Sequence, residues 1–540
     1  MGRACGLPEK PIVQPNQNAI LPLPKLGVGM RWTASVGAAM ASMLLASPAN
    51  AEWHEARTNH FLLTIDDTAA NARAFAERLE RFDAALRRLY GVGDDPDQHS
   101  RPIQIFSLEQ RMFQQTCGCL YALGYYLPRM HNSAIFSMHM PDVDRKSKEG
   151  GWSSQAVLLH EYGHHFSYNN FPIAYPYWFS EGFAEFNATA RFDPDGSVVI
   201  GLPVNYRAPA IKEGGSLSPN RLFAPERFGF IDNIDLLYGR SWLLTHFLML
   251  RTERAGQLKA YLDLVNKGTD SLSAAEQAFG DLKTLNSELN AYAKGTLAPP
   301  LRISPSAIPI QVTVRTLSPG EAEMAPIRAR FITGIREGYR AGFAAKAASV
   351  ASRFPTNATV QEQWAEVELL SQRYDRADAA ADAALRLDPG LVTAMVIKGL
   401  VAEKRLGDAQ SKDPSAWAAA RSWFIRANKA NPNTVLPLFN YYSSFVRAKE
   451  KPTEAAVKGL MRAQILAPES PELRGILARQ LLIDGDTKKA RALLQSLAYA
   501  PHRKRDKNVP KEVIALIDAG KIPEAKAAID KVDEKDDKDD

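Results

Sequence analysis

Cysteine is scarce in this chain of 540 residues, which contains only three. Cys5 lies near the N-terminus, and Cys117 and Cys119 form a C-x-C pair. A disulfide-rich scaffold is therefore excluded, and a thiolate metal site would lack ligands. The C-x-C pair can form a tight, strained disulfide in an oxidising compartment or stay reduced, and we give it no functional role.

Long hydrophobic runs and a strong charge imbalance are also missing. Beyond the first 51 residues, no stretch stays apolar for the 18 or so residues that a membrane span requires. The formal net charge is only +6, and no basic stripe with interleaved aromatics is present, so nucleic-acid binding is not expected. The composition, 45% hydrophobic and 23% charged, is that of a globular protein, and the length allows two to four domains.

The first 51 residues have the pattern of a secretory signal with a long start. Met30 is followed by arginine, residues 34–46 are small and apolar, and residues 49–51 (Ala-Asn-Ala) form a small-x-small cleavage site. We predict that Met30 is the true start, or that residues 1–29 are a dispensable extension, and that cleavage follows Ala51. The mature protein is then periplasmic or secreted; the alternative is an uncleaved anchor.

Residues 52–300 combine short β-type segments with amphipathic helices, and this order indicates an α+β lobe. Four segments predict strands: His60–Ile65, Pro102–Phe106, Tyr121–Pro128 and Ser133–Met138. Five segments predict helices: one capped by Asp66–Thr68, then Ser153–Tyr168, Trp178–Arg191, 234–250 and 255–295.

From about residue 340 the chain becomes rich in Ala and Leu, and proline recurs at turn positions. The intervals are 34, 43, 36 and 33 residues, between prolines at 355, 389, 432, 468 and 501. A helix-turn-helix period of 34 residues ending in proline resembles the tetratricopeptide repeat, which would place Ala365, Ala377 and Ala384 where paired helices touch. The longest interval contains a polar insertion, 407–414. We predict an all-α repeat solenoid over 340–530, with an unrelated helical bundle as the alternative.

Two segments flank the predicted repeats. Residues 301–339 start with many prolines and β-branched residues and are predicted as a linker with one or two short strands around Ile308–Val314. Residues 531–540 are strongly acidic, and from Asp533 onward they predict a solvated tail without structure.

An H-E-x-x-H sequence, His160-Glu161-Tyr162-Gly163-His164, lies within a helical pattern. Positions four apart share one helix face, so His160 and His164 can bind one zinc ion, with Glu161 beside the open coordination position. Zinc suits imidazole and carboxylate ligands, and three protein ligands leave a place for water. His165 points off this face, and we predict that it packs or forms a hydrogen bond. A salt-bridged core helix is the alternative for the whole motif.

Glu181 follows His164 by seventeen residues, in the run Trp178-Phe-Ser-Glu-Gly-Phe-Ala-Glu185. This run resembles the W-x-x-E-G-x-A segment of gluzincin peptidases, whose glutamate is the third zinc ligand. The resemblance spans roughly residues 52–300 and is strongest around the two motifs. It implies a zincin-like metallopeptidase lobe, with a mixed sheet and active-site helices, in which Glu181 joins the two histidines to bind Zn²⁺.

The same resemblance implies roles for two further residues. Glu185 would accept a hydrogen bond from the outer nitrogen of a ligand histidine, unless it is a surface acid. Tyr238, in Leu236–Trp242, resembles the tyrosine before a glycine-containing apolar helix that stabilises the oxyanion in the aminopeptidase branch. The alternative is that Tyr238 only packs in that apolar helix, and three other tyrosines are rivals for the role: Tyr168, Tyr175 and Tyr177.

No G-x-M-E-N-type segment, which holds the substrate amine in the aminopeptidase branch, is present upstream of the motif. Leu123–Pro128 stands in its place and predicts an edge strand able to pair with an extended peptide. Endopeptidase cleavage is therefore favoured over aminopeptidase cleavage.

The sequence predicts a zinc-dependent peptidase in which Glu161 is the general base and the repeats bind a protein partner or the substrate. The alternative is a non-catalytic tetratricopeptide interaction protein with a vestigial or structural metal site. Glu161 and an open three-ligand site argue against it, because structural zinc sites normally have four protein ligands. A zinc hydrolase acting on a non-peptide amide is a third hypothesis.

Overall fold

The computed structural model describes residues 52–536, except 119–121, 147, 172, 214–216, 230, 232, 307–308 and 500–507. The predicted start at Met30, the signal segment and its cleavage site after Ala51 lie outside the described residues, as do Cys5 and Cys119. Cys117 is disulfide-bonded.

The described part of the chain contains nine strands: β1 Trp53–Arg57, β2 Phe61–Asp66, β3 Ile103–Leu108, β4 Gly124–Leu127, β5 Ala134–Met138, β6 Arg191–Phe192, β7 Val198–Ile200, β8 Leu301–Ile303 and β9 Thr313–Thr316. Six of them form a mixed sheet in the order β4-β5-β3-β2-β1-β9. The pairs β2/β3 and β3/β5 are parallel, and the other pairs are antiparallel. A second, antiparallel sheet has the order β6-β7-β8. The predicted mixed α+β class is confirmed.

Twelve α-helices accompany these strands in the described residues: α1 Ala69–Tyr90, α2 Gln110–Cys117, α3 Pro141–Lys146, α4 Ser154–Asn170, α5 Tyr177–Ala188, α6 Ala208–Glu213, α7 Pro219–Phe223, α8 Pro225–Phe228, α9 Ile234–Leu250, α10 Gln257–Asn266, α11 Ser271–Phe279 and α12 Leu282–Lys294. Thr68 caps α1: its side chain accepts a hydrogen bond from the backbone N–H of Asn71. This satisfies one of the N–H groups that have no partner within the first turn of the helix. One face of α1 is buried against the sheet through Phe75, Leu79, Phe82 and Leu86. We call residues 53–316 the sheet region.

Several predicted boundaries shift in the structure. The helix predicted to reach Arg191 ends at Ala188, because Arg191 pairs with Val199 in the second sheet. The predicted linker contains two strands, of which only β9 overlaps Ile308–Val314, and both belong to the sheets: β8 pairs with β7, and β9 pairs with β1. No local sequence pattern could predict either pairing, because each joins residues more than 100 positions apart.

Twelve further α-helices are described after the sheet region: α13 Pro319–Ile332, α14 Glu337–Arg353, α15 Ala358–Leu370, α16 Tyr374–Leu387, α17 Val392–Asp408, α18 Pro414–Ala430, α19 Val435–Arg447, α20 Glu454–Leu466, α21 Pro471–Asp484, α22 Thr487–Ala498, α23 Val509–Asp518 and α24 Ile522–Asp536. From α15 onward, consecutive helices pack in pairs, with α15 on α16, α17 on α18, and so on to α23 on α24. We call residues 319–536 the helical region.

Small residues lie where the predicted repeats require them. Ala365, Ala377 and Ala384 are fully buried in one cluster between neighbouring helices, as predicted. The polar insertion 407–414 covers the turn between α17 and α18. The acidic end differs from its prediction, because α24 continues through Asp533 to Asp536.

The helical region packs directly on the sheet region. Ser133 donates a hydrogen bond to the buried Glu469 at 2.7 Å, and Gln495 donates to the carbonyl of Val265 at 3.0 Å. Met130 contributes to a hydrophobic cluster that otherwise belongs to α19–α24. No helix among the described residues is both long enough and apolar enough to cross a membrane.

Candidate metal centre

Helix α4 presents both histidines of the H-E-x-x-H sequence on one face. The helix begins after Ser153, whose hydroxyl accepts a hydrogen bond from the N–H of Ala156 at 2.9 Å. Because His160 and His164 are one turn apart, their rings are neighbours, with centroids separated by 4.9 Å. The prediction that these two side chains converge agrees with the structure.

Glu181 reaches the two histidines from the next helix, α5. Its Oε2 lies 3.5 Å from Nε2 of His160 and 3.6 Å from Nε2 of His164, and its side chain is fully buried. Tetrahedral zinc with bonds of about 2.0–2.1 Å separates its ligand atoms by about 3.3 Å. Two imidazole nitrogens and one carboxylate oxygen at these distances form a group that can hold a metal ion.

Glycines allow the three helices around the site to approach closely. An added Cβ at Gly163 of α4 would stand 3.1 Å from Cα of Ala184 in α5. At Gly182 of α5 it would stand 2.5 Å from the carbonyl oxygen of Ser241 in α9. Gly163 and Gly182 therefore let the helix backbones nearly touch, and this close packing brings Glu181 to the histidines.

Different side chains lie beside the outer nitrogens of the two histidines. Oε1 of Glu185 is 3.7 Å from Nδ1 of His160, which is an ion-pair distance and longer than a hydrogen bond. Ser180 lies 3.2 Å from Nδ1 of His164, and its hydroxyl also bonds Tyr168 at 2.8 Å. Glu185 is thus placed behind His160. The sequence did not predict the contact of Ser180 with His164, because nothing in the motif indicates where the Ser180 side chain points.

Arg207 and Tyr206 surround Glu185 and were also missed. The guanidinium of Arg207 donates to Oε1 of Glu185 at 2.9 Å and 3.2 Å and also binds Asp235. Tyr206 donates to the other oxygen of Glu185 at 2.5 Å. The guanidinium also lies 5.1 Å from the ring centroid of Tyr238. No sequence pattern links these residues to the motif, because they follow Glu185 by 21 and 22 positions in a loop.

Tyr238 lies beside the candidate ligands. Its ring stacks on that of His160, with centroids 5.8 Å apart and planes inclined by 15°. Burial raises the pKa of Tyr238 well above its ordinary value, so the phenol stays protonated at neutral pH. Its hydroxyl forms a hydrogen bond with Tyr177. Among the rivals, Tyr175 donates to backbone carbonyls of Ser167 and Phe171, so its hydroxyl is engaged away from the site.

Glu161 lies between α4 and the edge of the sheet. An added Cβ at Gly124 would stand 3.2 Å from Cγ of Glu161 and 2.5 Å from Cγ1 of Val157. Strand β4 therefore runs directly along the H-E-x-x-H helix, and it is the edge strand of the six-stranded sheet, as predicted. His165 lies one turn further along α4, with Nδ1 3.1 Å from the hydroxyl of Tyr126 in the same strand, which confirms its predicted role.

Negative charge dominates the centre. Burial acts to lower the pKa of His160, but the hydrogen bond with Glu181 and the charges of Glu185 and Glu161 raise it to about 9. The same carboxylates would balance the charge of a bound cation. The fold and the site thus define an α+β protein with a candidate metal centre. No protein-family model matches this chain, and no curated protein matches it.

Proposed function

We propose that this protein is a secreted or periplasmic zinc-dependent peptidase of the gluzincin type. The observation that carries the proposal is the convergence of His160, His164 and Glu181 at ligand spacing, with Glu161 beside them on α4. A structural zinc site would normally have a fourth protein ligand, whereas three ligands leave a position for water. The zincin-like lobe and the tetratricopeptide repeats are part of the same proposal, supported by the order of strands and helices and by the paired helices.

The chain's residues divide the chemistry of peptide hydrolysis between them. Zinc bound by His160, His164 and Glu181 would hold a water molecule and lower its pKa toward neutrality. Glu161 would accept the proton that the attacking water loses and deliver it to the leaving amine nitrogen as the C–N bond breaks. Tyr238 would donate a hydrogen bond to the carbonyl oxygen while negative charge develops there.

Strand β4 supports an extended peptide as the substrate. It is an edge strand, and Gly124 brings it against Glu161. A substrate that added a strand to this edge would place its backbone alongside the candidate base, and the β4 backbone would fix its register. This arrangement favours cleavage within a chain. The helical region would bind a protein partner or the substrate.

The proposal is tested by incubating the zinc-loaded full chain with a diverse peptide library and reading the cut sites by mass spectrometry. Glu161→Gln keeps the size and removes the base, so it should retain zinc while cleavage falls by about a thousandfold or more. If the wild type cuts nothing, or Glu161→Gln cuts as fast as the wild type, the proposal fails. In the first case the non-catalytic interaction protein is the better account, and in the second Glu161 is not the general base.

A further inference from the structure

Three side chains outside the candidate metal centre converge beside the start of β2. Oδ1 of Asp94 lies 3.1 Å from Nε2 of His60 and 2.9 Å from Nε2 of His99. The two imidazole rings are 5.0 Å apart, edge to face. All three potential ligand atoms lie within 4.8 Å of one another. His60 is mostly buried, while Asp94 and His99 are open to solvent on one side.

Glu80 fixes the orientation of the His60 ring on the side away from Asp94. Its Nδ1 lies 2.9 Å from Oε2 of Glu80, and its backbone N–H donates to Oε1 of the same carboxylate at 2.9 Å. With Nδ1–H donated to Glu80, the lone pair of a neutral imidazole is on Nε2, facing Asp94. A carboxylate on the outer nitrogen is the usual support of a metal-binding histidine, because it fixes the tautomer and raises ligand basicity.

The charges around His60 favour a cation. Glu80, Asp83 and Asp94 are all within 3.5 Å of its ring nitrogens. Arg87 neutralises Asp83, with Nε 2.6 Å from Oδ2. Glu80 and Asp94 thus place two negative charges beside the imidazole of His60, which equals the charge of one divalent ion.

We propose that His60, Asp94 and His99 bind a second divalent transition-metal ion, separate from the one at His160. Two imidazole nitrogens and one carboxylate oxygen suit zinc and its neighbours better than calcium or magnesium, which prefer oxygen ligands. Water completes the coordination on the open side. Small side-chain shifts suffice, because both nitrogens already lie about 3 Å from the carboxylate oxygen, close to the ligand spacing of zinc.

The site would tie the sheet region to the helical region. His99 belongs to a short 3-10 helix, Pro96–Ser100, whose Asp97 pairs with Arg462 at 2.6 Å and accepts from Asn433 at 3.1 Å. Bound metal fixes this segment to His60 at the edge of the core. A bound ion would therefore stabilise the contact between the two regions.

The test measures bound zinc in the tag-free full chain, after equilibration with zinc and removal of the excess. A double variant, His160→Ala with His164→Ala, should still bind about one zinc per chain. Adding His99→Ala should remove it, and adding Asp94→Asn should weaken it at least about tenfold. His139→Ala is the matched control, because His139 is another partly exposed histidine beside a carboxylate, 3.4 Å from Asp67, and its loss should change nothing.

A second readout covers the case in which the double variant fails to fold. In the otherwise unchanged chain, His99→Ala should lower zinc binding from two equivalents to one and should abolish part of the zinc-dependent rise in melting temperature. The proposal is overturned if His99→Ala leaves zinc content and melting temperature unchanged in either background. It does not rest on peptidase activity, so its failure and the failure of the proposed function are distinguishable.

Discussion

Two buried glutamates, one in each region of the molecule, have opposite surroundings. Glu368 of α15 is fully buried, and guanidinium groups of Arg373 and Arg376 lie 2.7 Å and 3.3 Å from its carboxylate. Trp364 also donates to it at 2.8 Å. Glu181 of α5 is equally buried, but the imidazole nitrogens of His160 and His164 lie 3.5 Å and 3.6 Å from its carboxylate, and the three side chains point toward one position.

The difference separates a structural carboxylate from a metal-binding one. A buried charge needs compensation, and Glu368 receives it from permanent cations of the same helical repeat. Around Glu181 the neighbours are candidate ligands, so a metal ion bound between the three side chains would compensate the charge. The comparison predicts that the two glutamates respond differently to the same substitution.

The largest expected effect comes from placing Gln at each of these positions. Glu181→Gln should lower zinc affinity and reduce peptide hydrolysis by about a thousandfold or more, because an amide is a poor zinc ligand. Glu368→Gln should keep zinc and activity at moderate temperature but lower stability by about 1–2 kcal/mol, because a neutral amide no longer pairs with the partly exposed Arg373 and Arg376. Zinc content, hydrolysis and thermal unfolding measured on both variants check the contrast. Equal loss of zinc in both would contradict it.

Tyr238→Phe should have the next largest effect. Losing one oxyanion donor costs about a hundredfold to a thousandfold in turnover, and KM should change little because the bond forms in the transition state. Tyr175→Phe is the matched control, since its hydroxyl bonds backbone carbonyls of the sheet region. Steady-state kinetics within about threefold of wild type for Tyr238→Phe would remove this residue from the mechanism.

Gly124→Ala should have a smaller effect, of about tenfold, on hydrolysis. The added methyl group would overlap Val157 and press on Glu161, so β4 must move away from α4. Gly475→Ala, in α21 of the helical region, adds the same methyl group where nothing lies within 4 Å, and it should leave kcat/KM unchanged. Similar kinetics for the two variants would show that the spacing between β4 and α4 is not critical.

The smallest effect is expected where the two regions meet. Burial raises the pKa of Glu366 in α15 to about 7, and Oε1 of Glu366 lies 4.0 Å from Nε2 of His131 in the sheet region. The folded pKa is above the unfolded value, so the acid contributes stability at low pH that is lost as pH rises from about 4.5 through 7. Glu366→Gln should therefore raise the melting temperature by about 3 °C at pH 8 and by nothing near pH 4.5. Melting curves at both pH values check this, and an equal shift at both would point to packing instead of charge.

Local patterns predicted much of the fold and the centre of the site. The spacing of His160 and His164 and the cap at Thr68 depend on a single helix, and helix geometry is set by residues a few positions apart. The pairing of β9 with β1 was not predictable, because it joins segments more than 250 residues apart. The same is true of Arg207 behind Glu185, since only the packed structure brings that loop to α5.

A zinc titration of the apoprotein decides whether His160, His164 and Glu181 form a catalytic zinc site. It is best done in the His99→Ala variant, so that binding at His160, His164 and Glu181 is followed alone. Bound zinc and peptide hydrolysis should rise together and reach their plateau at one equivalent per chain. The account is contradicted if the metal-free protein hydrolyses peptides as fast as the loaded protein, or if no zinc binds.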